Sequence, residues 1–81
     1  MNRACITEAF LNLIYDGRDT EPEKIAKALC VELGVEGSGR AHVVRGIVRT
    51  MADCVRQGNT SEAAVSGAVA DWVLDFAGAS A

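Results

Sequence analysis

The chain has 81 residues, of which 49% are apolar and 23% charged, and it carries a net charge of −3 at neutral pH. A chain of this length builds one small domain, residues 1–81, and its composition is that of a folded protein and not of a disordered one. The acidic balance argues against direct nucleic-acid binding, and no apolar run approaches the roughly 20 residues needed to cross a membrane.

Turn residues and apolar periodicity predict an all-α fold, a compact bundle of four short helices over about 3–15, 21–34, 40–57 and 60–77, with 78–81 as a frayed tail. In the first helix Ile6, Phe10, Leu13 and Ile14 form one stripe. Asn2 is placed to cap it, and Asp16-Gly17 to stop it. Leu11 and Tyr15 lie on the side away from Ile6 and Phe10, where a tyrosine can anchor a partner. The second helix opens on Thr20-Glu21-Pro22-Glu23, which reads as a capping box with proline in the first turn. Ile25, Leu29 and Leu33 make its stripe, and Gly34-Val35 its stop.

The third helix follows the glycine-rich connection GVEGSGR and ends at Gly58. Its expected core side is Val44, Ile47, Val48, Met51 and Val55. Arg45, Arg49 and Arg56 fall within about 40° of one another on the opposite side, with His42 and Asp53 at the border and Arg40 apart at the start. An i,i+4 pair between Arg49 and Asp53 would tie part of this ridge down. Otherwise the guanidinium forks suit an anionic partner.

Asn59-Thr60-Ser61-Glu62 is read as a second capping box, opening the fourth helix. That helix has an expected core stripe of Val65, Val69, Trp72 and Phe76. A second face of small or apolar residues comprises Ala63, Gly67, Ala70 and Leu74. A helix apolar on two sides is either central in its own domain or covered by another chain, so these residues, with Leu11 and Tyr15, are candidates for a homodimer or partner interface. Asp71 and Asp75 form an acidic strip between the two faces, suited to a basic partner or to the arginine ridge of a second copy.

Local charge sharpens the choice of partner. Residues 1–35 sum to −2, residues 36–58 to +2 and residues 59–81 to −3. A patch of +2 releases few counterions, and no aromatic is interleaved with the arginines to stack on bases.

Chemistry is sparse. His42 is the single histidine, and Cys5, Cys30 and Cys54 show no metal-ligand spacing, so neither a metal nor a cofactor is expected. The cysteines read as reduced, small buried apolar residues of a cytoplasmic protein. Met1 leads into an amphipathic stretch and not into a signal peptide. Ser38 in EGSGR lacks the strand that presents a nucleophilic serine, and the same glycines lack the G-K-[ST] of a phosphate loop. Asp16 and Asp19 belong to a turn. With no acid, base and nucleophile converging, the chain is not expected to be an enzyme.

The segment KIAKALCVELGVEGSGRAHVVRGIV resembles a helix-turn-helix over about a third of the chain, which would make helix 40–57 the DNA reader of a small dimeric regulator. It departs from that motif in the length of VEGSG and in Arg40, which stands where an apolar residue belongs. In size, charge, alanine content and lack of chemistry, the whole chain resembles the small phage-encoded inhibitors, anti-CRISPR proteins among them. This resemblance is to a class and rests on no motif, so no site residue is carried over. It implies a non-enzymatic protein in a bacterial host cell that binds a larger nucleic-acid-processing partner, such as a CRISPR effector subunit, and blocks its access to DNA. Arg45, Arg49, Arg56, Asp71 and Asp75 are the expected partner-binding residues. A structural or adaptor subunit is the third reading.

Overall fold

A computed structural model describes residues 2–16 and 21–80 of the chain. Among them are four helices and no strand: α1 (Arg3–Asp16), α2 (Pro22–Leu33), α3 (Gly39–Arg56) and α4 (Glu62–Ser80). The all-α bundle expected from the periodicity is the fold. α4 runs three residues beyond its expected end at 77, so most of the expected tail is helical.

The helix ends follow from local chemistry. The Asn2 carboxamide oxygen accepts from the Cys5 backbone N–H at 2.9 Å, satisfying one donor that the first turn leaves open. At α2 the cap position is Glu21, in extended conformation and without a side-chain bond, and Pro22 follows it. Thr20, the expected cap, and Gly17, the expected stop of α1, lie outside the described residues. At α4 the cap is Ser61, whose hydroxyl oxygen accepts from the Ala64 N–H at 3.1 Å. The box expected two residues earlier, at Asn59, does not form, because Glu62 opens the helix itself. Two glycines close helices in the left-handed region, Gly34 at φ 71° and Gly58 at φ 77°. After each, a backbone N–H reaches back to the last turn, Val35 to Cys30 and Asn59 to Cys54, both at 2.9 Å.

The helices pack as a ring. α1 packs on α2, α2 on α3, α3 on α4 and α4 returns to α1, while the backbones of the diagonal pairs stay farther apart among the described residues. Each helix therefore needs apolar surface toward two neighbours. Ile6 and Phe10 of α1, Leu29 of α2, Ile47 of α3 and Val69 of α4 are fully buried at the centre. Burial of each such side chain stabilises the fold by about 1.5–3 kcal/mol.

This arrangement corrects one expected face and decides between two readings of another. On α3 the buried residues are Val43, Ile47 and Cys54, so the core arc is rotated from the one expected. Val44, Val48 and Met51 are only partly covered, and Val55 is 64% exposed. On α4 the second apolar face turns inward from Gly67 onward, while Ala63 stays exposed. Gly67 and Ala70 are buried, and Leu74 packs against the core. α4 is the helix with α1 on one side and α3 on the other, which is why it is apolar on both.

Glycine is required where α3 meets α4. The Trp72 indole lies on Gly46, and a Cβ there would collide with Cζ2 of the ring. Phe76 stacks behind the indole with ring centroids 5.4 Å apart, backing it from its own helix. The Thr50 hydroxyl donates to the Gly46 carbonyl at 2.8 Å, so this turn of α3 keeps its polar group satisfied beside the indole.

Candidate functional site

α3 presents the arginines as expected: Arg45, Arg49 and Arg56 are all exposed, on the side away from Ile47. Their partners differ from expectation. Asp53 pairs with Arg56 one turn below, and not with Arg49. Arg56 is therefore partly neutralised, whereas Arg45 and Arg49 have no ion pair or side-chain hydrogen bond among the described residues. The exposed His42 stands one turn before them on the same helix.

Beside this ridge lies a feature that the sequence pattern hides. An open cleft of about 530 Å³ lies between α2 and α3, lined by Glu23, Lys27, Arg40, Ala41, Val44, Arg45 and Val48. Its floor is aliphatic, from Ala41, Val44 and Val48. Its rim is charged, with Lys27 and Glu23 from α2 facing Arg40 and Arg45 from α3. The Lys27 ammonium pairs with Glu23 at 3.3 Å, so the one acid among the described lining residues is already neutralised. The sequence offered one clue to this cleft: α3 carries more apolar positions than one buried stripe needs, and the surplus pair Val44 and Val48 adjoins Arg45 and Arg49.

The acidic strip of α4 is split by the fold. Asp71 accepts from Arg3 Nε at 2.9 Å, so it closes the α1–α4 seam. Asp75 is exposed and has no ion pair among the described residues. At the other end of that seam the Tyr15 hydroxyl donates to Glu62 Oε2 at 2.5 Å. The hydrogen bond to Glu62 and its negative charge hold the Tyr15 phenol above the ordinary tyrosine value. Tyr15 is itself 69% exposed, while its neighbour Leu11 is partly covered.

Of the residues considered as an interface, Gly67 and Ala70 are enclosed within the chain, Leu74 is half-buried, and Ala63, Leu11 and Tyr15 reach the surface. The face of small residues is thus not a free surface. Arg3 crosses Gly67 on its way to Asp71, and a Cβ at Gly67 would meet Arg3 Nη2 at 2.7 Å. Cys30 and Cys54 are buried as expected, but Cys5 is exposed. Burial pushes the Cys30 thiol up, with the positive charge of Arg40 opposing that shift.

A second, more polar cleft lies between α1 and α2, lined by Ala9, Asn12, Leu13, Tyr15, Asp16 and Glu32. The described residues contain no group of three or more His, Cys, Asp or Glu placed to hold a metal ion. None of their helices is long and apolar enough to cross a membrane. The chain matches no family model, no curated protein and no solved structure.

Proposed function

We propose that this chain is a non-enzymatic binding protein that docks on a larger nucleic-acid-processing partner and blocks the partner's access to DNA, in the manner of the anti-CRISPR class. The observation that carries the reading is the α3 surface. Arg45 and Arg49 are exposed with no acid paired to them among the described residues, and Arg45 lines the edge of an aliphatic cleft, in a chain whose net charge is −3. Unpaired arginines beside apolar surface are the composition of a protein interface, where arginine is enriched and apolar contact supplies the centre. Asp75 is exposed and adds to the general acidity, and Asp71 is held by Arg3, so the arginine face is the better candidate contact.

Reading DNA through α3 as a dimer is the weaker alternative. The α4 face that would have joined two copies has Gly67 and Ala70 buried inside the chain.

The test is affinity capture from nuclease-treated lysate of the natural host, at low and high salt. A protein partner retained in stoichiometric amount at high salt is expected. The double variant Arg45→Glu/Arg49→Glu should weaken its capture by about tenfold or more, the scale of losing charge-assisted contacts at an interface. Recovery of nucleic acid alone from untreated lysate, released as salt rises, would overturn the proposal.

A further inference from the structure

We infer that the α2–α3 cleft receives an acidic amphipathic helix of the partner; this rests on the binding-protein reading above and names the chemistry its site recognises.

The floor sets the shape of the occupant. Ala41, Val44 and Val48 follow one another at i, i+3 and i+7, a row of side chains along α3. Rows of this spacing are the ridges against which another helix packs. The row is about 10 Å long at 1.5 Å per residue, two turns of an occupant that would seat two or three apolar side chains. Val44 and Val48 are half-covered within the chain, so each keeps apolar surface for such a guest.

The rim sets its charge. Among the described residues that line the cleft, Lys27 stands on the α2 wall and Arg40 and Arg45 on the α3 wall, against Glu23, an excess of two positive charges. A helix whose apolar stripe enters the floor carries its flanking residues over both walls. Asp or Glu at those flanks meets Lys27 on one side and Arg40 or Arg45 on the other. Lys or Arg there would be repelled by Arg40 and Arg45, while the α2 wall, where Glu23 pairs with Lys27, adds no net charge. This is the helix-in-groove mode with its charge pattern set by the α3 wall. A nucleic acid fits less well, because the aliphatic floor carries no aromatic ring for a base to stack on and offers phosphate nothing but desolvation.

The experiment is selection from a phage-displayed library of random peptides about four helical turns long, using the full chain as bait. The double variant Lys27→Glu/Arg45→Glu serves as a parallel bait. Both substituted side chains are exposed, so the variant is expected to fold, and its helicity is checked by circular dichroism. Peptides enriched on the wild-type chain should place apolar residues at i, i+3 or i+4, and i+7, with Asp and Glu beside them. Their affinity, read by fluorescence anisotropy, should fall about tenfold or more on the double variant. Chemical-shift changes on peptide addition should centre on the Val44 and Val48 methyls. Enrichment of basic peptides, absence of enrichment, or shift changes elsewhere would overturn the inference. So would tight binding of a labelled oligonucleotide that moves the same methyls, or a dimer in sedimentation that occupies the cleft with a second copy. The selection decides this inference alone. A lysate partner captured equally well by wild type and Lys27→Glu/Arg45→Glu would refute the cleft assignment and leave the binding-protein reading standing.

Discussion

The α1–α4 seam and the α2–α3 seam are built from similar residues and end in opposite states. Along α1–α4, charged and polar side chains are consumed within the molecule: Arg3 holds Asp71 near one end, and Tyr15 holds Glu62 at the other. Small residues, Gly67 and Ala70, let the helices close over a buried Ser66, whose hydroxyl donates to the Ala63 carbonyl at 3.2 Å. Along α2–α3, the cations Arg40 and Arg45 find no acid among the described residues, and the valines below them remain half-covered. A seam whose charges are matched internally has little left to offer a partner. One whose charges are unmatched keeps its electrostatic energy for binding. The difference teaches that net charge per helix is a poor guide to function here: α4 is the most one-sidedly acidic segment, yet half of its acidic strip is already spent.

The comparison is sharpened most by glycine substitution. Gly46→Ala drives a methyl into the Trp72 ring, and overpacking of this kind costs about 1–3 kcal/mol. That exceeds the roughly 1 kcal/mol by which alanine improves a helix interior. Gly67→Ala meets only the far end of the long Arg3 side chain, so the helix-propensity gain dominates and stability is expected to hold or rise. Urea denaturation followed by the fluorescence of Trp72, the single tryptophan, measures both. Equal losses at the two sites would show that α4 is gripped as tightly by α1 as by α3.

A smaller effect is expected at the entry of α4. Ser61→Ala removes the acceptor for the Ala64 N–H and should cost about 1 kcal/mol, while Asn59→Ala should be near neutral. The same denaturation measurement separates the two cap positions.

The smallest effect tests the Tyr15–Glu62 contact. The folded state raises the Tyr15 pKa above its ordinary 10.0, so the protonated phenol is the form that folding favours. Its contribution is complete below the unfolded value and is lost as pH rises through the higher folded one. Because Tyr15 is the single tyrosine, phenolate absorbance reports it directly. Glu62→Gln should lower the Tyr15 titration midpoint toward the ordinary value. An unmoved midpoint would mean that the hydroxyl does not meet Glu62 in solution.

Much of the fold was legible because it is written in local chemistry. Gly34 and Gly58 end helices for want of a side chain at positive φ, and Asn2 caps for the reach of its carboxamide. The exposure of Arg45, Arg49 and Arg56 was legible because charge and apolar residues separate on a helical wheel. What a wheel cannot supply is the number of neighbours. The second face of α4 reads identically whether α1 or another chain covers it, and the surplus valines of α3 read as core until the cleft beside α2 is seen. Cross-chain pairs such as Arg3 with Asp71 and Gly46 with Trp72 depend on which helices meet, a property of the tertiary arrangement and of no single segment.

The ring order of the helices has a consequence for how the chain assembles. Three seams join consecutive helices across short connections, whereas the α1–α4 seam brings together residues as distant as Arg3 and Asp71, 68 positions apart. Closing a longer loop costs more entropy, though only by about 0.6 kcal/mol for each doubling of length. Local seams are therefore favoured to form first, and the ends of the chain to latch last. The two polar contacts of the latch then resist opening more than they hasten closing, so they lengthen the lifetime of the folded molecule and leave its folding rate to the three local seams.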